Sequence, residues 1–136
     1  MCYIYGRNNK FKRWEKNFMT IRDITEILSA DVICGEENLE KEVHNACGSD
    51  MMSDVLAFVK DQSVLITGLC NPQVIRTAEM MDIICICFVR GKEPDEAMVE
   101  LAKERGIVLM GTKMRMFTAC GVLYEKGLGG GKSQCV

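Results

Sequence analysis

The sequence predicts an α/β fold of three layers, a mostly parallel sheet of about four or five strands with helices on both faces. Three observations carry that expectation. Between residues 63 and 118 one unit occurs three times: a short apolar run, a turn containing glycine, and a segment of helical patterning. Strands that alternate with helices must cross over and pair in parallel. The run Ile83-Ile84-Cys85-Ile86-Cys87-Phe88-Val89 is apolar in both phases of strand alternation, which marks a central strand covered on two faces. Pro72 and Pro94 each stand where a helix is expected to begin, the helical position that proline suits.

The elements follow in order. Residues 1–18 combine Arg7, Lys10, Lys12, Arg13 and Lys16 with a single acid, Glu15, and no apolar signal core follows. A basic, disordered extension is expected there. Thr20 and Asp23 make a capping-box pattern ahead of Ile21, Ile24, Ile27 and Leu28, so the folded domain is expected over 19–128. Its first helix, at about 21–29, leads to a short strand at Val32-Ile33-Cys34 and an acidic connection over 35–42. Val43 to Cys47 reads as a second strand. Gly48-Ser49-Asp50 reads as the turn into a helix carrying Met51, Met52, Val55, Leu56 and Val59, with Ser49 or Asp50 as its cap. The three units then place strands at 64–67, 83–89 and 107–110 and helices near 72–81, 95–105 and 113–126. Residues 129–136 are glycine-rich and expected to be a disordered tail.

Composition excludes several classes. The 136 residues suffice for one domain with a buried core and no disulfide or metal staple. A formal net charge of -2 does not fit the basic stripe of a dedicated nucleic-acid binder. The longest apolar run, 83–89, is strand-sized, so no membrane span is expected. The 8 cysteines contain no C-x-x-C pair and accompany one histidine, His44, so no metal site and no cofactor are expected. Without a signal peptide they read as thiols in a reducing cytoplasm. Cys70 differs in standing ahead of a helix amino terminus, where a thiolate gains stability, although a neutral thiol is the expectation there too.

Several motifs invite chemistry and have plainer readings. Gly127-Leu128-Gly129-Gly130-Gly131-Lys132-Ser133 imitates a phosphate-binding loop, but its spacing is one residue short and a helix precedes it where a strand is required. His44 lies on a strand with no nucleophile and acid nearby in sequence, so its role is structural. Asp50 and Asp54 are four apart, which on a helix would place two carboxylates on one face, suited to a cation or to acid-base work. Helix capping plus a solvated face is the preferred reading. The constellation left is formed by the turns after the strands: Gly48 and Ser49, Gly68 with Asn71, Arg90 and Gly91, and Gly111 with Thr112. In a parallel sheet these turns share the carboxyl edge, where ligands of such folds bind. Glycines let backbone amides approach an anion, helix amino termini favour negative charge, and Arg90 offers a guanidinium. No base is paired with an activated nucleophile, so the site binds without catalysing.

Three stretches carry a family resemblance: Ala46-Cys47-Gly48-Ser49-Asp50-Met51-Met52-Ser53-Asp54-Val55-Leu56-Ala57, then Thr67-Gly68-Leu69-Cys70-Asn71-Pro72-Gln73-Val74-Ile75-Arg76-Thr77-Ala78-Glu79, and Phe88-Val89-Arg90-Gly91-Lys92. Over about 19–128 the chain resembles a DRTGG domain, closest to the stand-alone bacterial and archaeal members. Leu69-Cys70-Asn71 stands where the family's Asp-Arg turn is expected, and Val89-Arg90-Gly91 replaces a Thr-Gly-Gly-like turn. Similar domains accompany CBS domains in inorganic pyrophosphatases, where they are regulatory and the catalytic machinery lies elsewhere.

The resemblance implies a cytoplasmic, non-enzymatic regulatory module, a homodimer or larger. It would bind a small anionic ligand, an adenine nucleotide among the candidates, or a protein partner through Gly48, Ser49, Gly68, Asn71, Arg90, Gly91, Gly111 and Thr112. The alternative is an interaction or assembly subunit of a redox complex of the hydrogenase iron-sulfur type, without its own ligand. An exposed apolar patch containing Met51, Met52, Met80 or Met81 would favour that alternative, and core packing of those residues would argue against it. A metal-dependent hydrolase built on Asp50 and Asp54 is the third reading.

Overall fold

The computed structural model describes residues 19–58 and 61–130, so the extension expected over 1–18, the placement of Val59 and the tail over 131–136 lie outside the described residues. Strand β1 (Met19–Thr20) runs straight into helix α1 (Ile21–Ile27) through the anticipated capping box. The Asp23 amide donates to the Thr20 hydroxyl at 3.2 Å, and the Thr20 amide donates to the Asp23 carboxylate at 3.0 Å. Two otherwise orphaned donors are thereby satisfied. β1 pairs antiparallel with β3 (Glu42–Val43), which buries Met19 and Val43 together.

The main sheet consists of β2 (Asp31–Cys34), β7 (Val108–Gly111), β6 (Ile83–Phe88), β5 (Ser63–Thr67) and β4 (Asn45–Gly48), in that spatial order. β4 to β7 are mutually parallel and β6 is central, as its two-phase apolar pattern requires. Each crossover from β4 to β7 steps sideways in the same direction, and right-handed crossovers then place every connecting helix on one face. Accordingly α2 (Met52–Val55), α3 (Pro72–Met80) and α4 (Glu96–Arg105) share a core with Leu65, Ile86, Phe88 and Leu109. α1 and α5 (Met116–Glu125) cover the opposite face over Val64, Ile66, Cys85, Cys87, Val108 and Met110. The three-layer, mostly parallel α/β architecture is the one the sequence predicts.

Four local expectations change. β2 is antiparallel to β7, which places it at the sheet edge beside the last strand instead of extending the parallel series. The helix after Ser49 is a single turn, because Met52 and Val55 are buried whereas Met51 and Leu56 face solvent, leaving an apolar stripe two residues long. Pro94 lies outside α4, whose cap is Asp95, while Pro72 opens α3 as expected. The glycine-rich end is tied down at its start: the Ala46 amide donates to the Gly129 carbonyl at 2.8 Å, and Leu128 is buried. Among the described residues, no helix is long and apolar enough to cross a membrane.

Six cysteines of the described chain are free thiols, and Cys85 and Cys87 point from β6 into one core face as small hydrophobes. Burial pushes the Cys87 thiol up to about 12 and raises Cys85 well above its ordinary range.

Two outcomes are expected. Ile86→Ala, at the centre of the sheet, should cost about 2–5 kcal/mol in urea unfolding, whereas Met80→Ala, exposed on α3, should stay within about 0.5 kcal/mol. A native thiol that keeps a proton the unfolded chain loses makes stability fall as pH climbs past the ordinary thiol range and onward to about 12. Urea midpoints should therefore drop between about pH 8 and about pH 10, by up to about 1.4 kcal/mol per pH unit for each such thiol, and Cys87→Ala should flatten the slope.

Candidate functional site

The carboxyl ends of β7, β6, β5 and β4 all lie at one edge, so the turns singled out from the sequence do share a rim. They form a line and not a ring. Gly111 and Thr112, Arg90 and Gly91, Gly68 with Asn71, and Gly48 with Ser49 follow one another across the sheet over about 14 Å, three strand spacings.

A cleft opens at one end of that line. Its volume is about 630 Å³, and Gly91, Gly111 and Thr112 line it together with Leu28, Ile33 and Lys113 among others. The cause is topological. The chain leaving β6 turns toward α4 on one face, while the chain leaving β7 turns toward α5 on the other, so the two turns part and leave a crevice between them. The carboxyl end of α1 and the start of β2 close the outer side through Leu28, Ser29, Asp31 and Ile33. Lys92 and Lys113 bring two ammonium groups, Asp31 and Glu93 two carboxylates, and Ile33, Pro94 and Met114 an apolar lining.

Thr112 holds the walls together. Its hydroxyl donates to the Leu28 carbonyl at 2.7 Å and accepts the Met114 amide at 3.2 Å, its amide donates to the Phe88 carbonyl at 2.9 Å, and its carbonyl accepts the Gly91 amide at 2.9 Å. Thr112 is 3% exposed, so it acts through the shape of the cleft. The Arg90 amide adds a bond to the Met114 carbonyl at 2.8 Å. Arg90 and Gly91 both adopt left-handed backbone, φ 59° and 71°, which folds the turn back toward β7.

The other half of the rim is latched. Asp50 does not cap α2. Its carboxylate accepts the Gly68 amide at 2.7 Å and the Thr67 hydroxyl at 3.0 Å, taking the amide that an anion would otherwise reach at the end of β5. Ser49 closes a local turn with the Met51 amide at 3.0 Å. Asn71 caps α3 by accepting the Gln73 amide at 3.0 Å. Gly48 lies against α5, where a Cβ would meet the Cys120 sulfur at 2.6 Å. The Arg90 guanidinium lies over Gly68, with Nη2 2.7 Å from where a Cβ would stand, so a side chain at 68 would displace it. Arg90 is exposed at this rim.

The remaining sequence candidates separate. Asp54 is on α2 and Asp50 outside it, so they do not form one helix face; among the described residues no cluster of three or more metal-ligating side chains occurs. His44 bonds Asp61 through Nδ1 at 2.9 Å and approaches Glu42 through Nε2 at 3.7 Å, a bracing role at the base of β4. Burial pushes the Cys70 thiol up against a smaller opposing pull from Lys92, which keeps it protonated near neutral pH. Met51 and Met80 are exposed while Met52 and Met81 are packed in the core, so the four methionines make no single patch. Of the glycine-rich motif near the end, Gly127 to Gly130 follow α5 and the rest lies outside the described residues. Sequence reasoning missed Ser29, Asp31, Ile33, Lys92 and Lys113 as cleft residues. The side on which α5 packs decides where the crevice opens, and no strand follows α5 to reveal that side in the sequence.

A four-stranded parallel layer with an antiparallel edge strand and helices on both faces defines a small α/β module. The model of the DRTGG domain matches residues 23–125, and the chain belongs to that family. Among solved structures it is similar to the CBS and DRTGG domains of the regulatory region of Clostridium perfringens pyrophosphatase, complexed with the activator diadenosine tetraphosphate. The two share 19% identity and superpose with a TM-score of 0.63, over 79% of this chain and 47% of that one. The likeness establishes the fold, and this chain spans about half of that chain's length. No curated protein sequence matches it.

Thr112→Val should destabilise the protein by about 1–3 kcal/mol in urea unfolding, because it leaves the buried Leu28 carbonyl without its donor. Thr112→Ser, which keeps the hydroxyl, should cost less.

Proposed function

We propose that this DRTGG domain is a non-enzymatic regulatory module that binds a small anionic ligand, an adenine nucleotide by preference, in the cleft between the ends of β6 and β7. The carrying observation is a ligand-sized cavity at the carboxyl edge of the sheet that offers two lysines beside two carboxylates and an apolar wall. The apolar lining suits a flat base, and Lys92 and Lys113 suit phosphates. From the cleft the rim continues past Arg90 toward Gly68 and the amino terminus of α3, so a long polyphosphate has a cation beyond the lysines to reach. The pyrophosphatase regulatory region complexed with a dinucleoside tetraphosphate lends support from the same fold. Binding without catalysis fits the commitment of the Thr112 hydroxyl to Leu28 and Met114. Free thiols throughout the described chain suit a reducing cytoplasm.

Regulation would follow by population shift, because a ligand gripping the β6 and β7 turns favours one arrangement of the elements those turns join. Isothermal titration of the full chain with ADP, ATP and diadenosine tetraphosphate should give saturable binding. Lys92→Ala and Lys113→Ala should each weaken it tenfold or more, about 1.5–3 kcal/mol for a charge-assisted contact. Arg90→Ala should weaken the tetraphosphate more than ADP. Binding indifferent to both lysines, or no heat with any of the three nucleotides, overturns the proposal.

A further inference from the structure

Midway along the rim, between the cleft and β4, two residues break local rules and do so toward each other. Arg90 holds left-handed backbone, φ 59°, which glycine adopts without strain. Glycine there would serve the turn as well, so what arginine adds is its charge. Gly68 lies outside the left-handed region, and its φ suits any residue. A Cβ on it would stand 2.7 Å from Arg90 Nη2. The strained arginine and the missing side chain thus serve one arrangement, a guanidinium seated over the end of β5. Among the described residues that guanidinium pairs with no carboxylate. Backbone strain that seats an unpaired charge points to function.

The donors beside it already hold an anion, supplied by the chain itself. Asp50 Oδ1 accepts the Gly68 amide at 2.7 Å and the hydroxyl of buried Thr67 at 3.0 Å. That hydroxyl accepts the Leu69 amide at 3.1 Å, which leaves its proton for Asp50. Oδ2 makes no hydrogen bond among the described residues, and Arg90 lies beyond ion-pair reach of either oxygen. Covalent geometry puts the Gly68 nitrogen within about 5 Å of Nη2, close enough for one anionic group to touch both. We infer that Thr67, Gly68 and Arg90 form a subsite for a phosphoryl group, and that Asp50 occupies it as a tethered competitor. A phosphoryl group presents three acceptor oxygens, enough for the amide, the hydroxyl and the guanidinium together. Asp50 engages the first two and leaves the third unused. It is exposed, so on displacement its carboxylate passes into water without a buried charge being stranded. The displaced loop leads into α2, a single turn flanked by exposed Met51 and Leu56, so occupancy of the subsite reaches that apolar surface. None of Thr67, Gly68, Arg90 and Asp50 lines the cleft, and the subsite stands whether or not a nucleotide binds there.

Calorimetric titration of the full chain with inorganic pyrophosphate, which has phosphoryl groups and no base, tests this. The background carries Lys92→Ala and Lys113→Ala, so the cleft lysines contribute nothing and failure of the cleft reading stays distinguishable from failure of this one. There Asp50→Ala should bind pyrophosphate at least about tenfold tighter than the chain that keeps Asp50, the scale of one charge-assisted contact. Adding Arg90→Ala should abolish the gain. Asp54→Ala removes the same charge from α2 and should bring no gain. Asp50→Asn keeps an acceptor for the Gly68 amide and the Thr67 hydroxyl without the charge; it should give a smaller gain and serves should the alanine variant fold poorly. Binding that neither Asp50 variant tightens, or a gain that Asp54→Ala reproduces or that survives Arg90→Ala, overturns the inference.

Discussion

The buried hydroxyl of Thr112 is the contact on which the site depends. It joins the end of β7 to the end of α1, while its backbone holds the turn after β6. Two of these segments end neighbouring strands of the sheet and the third ends a helix of the layer above it, so the hydroxyl ties the sheet edge to its covering helix. A hydroxyl sealed in the core holds such a junction because an unpaired Leu28 carbonyl would be costly there. The walls of the cleft are thus set by the fold before any ligand arrives, which limits the ordering a ligand must impose.

The strand order decides why the site lies where it does. A sheet that advances in one direction from β4 to β7 sends its connecting helices to a single face, so successive turns at the carboxyl edge nest against one another. The chain after β7 departs to the other face, and a crevice opens there. At the far end Asp50 closes what gap remains by taking the Gly68 amide. One rim therefore holds a cleft at one end and a latch further along, with Arg90 between them.

Much of the fold was legible in the sequence because burial writes itself into periodicity. The two-phase apolar run at 83–89 placed the central strand, Thr20 with Asp23 announced the first helix, and Pro72 marked the start of α3. Short elements governed by long-range partners were not. The pairing direction of β2 depends on Gly111 and Met110, nearly eighty residues away, and nothing in the local pattern of Val32 to Cys34 records it. Asp50 looked like a cap because aspartate before a helix commonly is one, yet the nearby amide of Gly68 competed for its carboxylate and won. The glycines of the rim were recognisable, whereas the lysines and carboxylates of the cleft were indistinguishable from ordinary surface charges until the crevice placed them.

Family membership and fold agree with a regulatory role, and the proposal puts that role at the cleft between the ends of β6 and β7. The most direct measurement is an amide-resolved NMR titration of the full chain with diadenosine tetraphosphate. The account predicts saturable shifts centred on Ser29, Gly91, Lys92, Gly111 and Lys113, fading toward β4. Shifts confined to the β4 edge and α5, or a spectrum that does not respond, would contradict it.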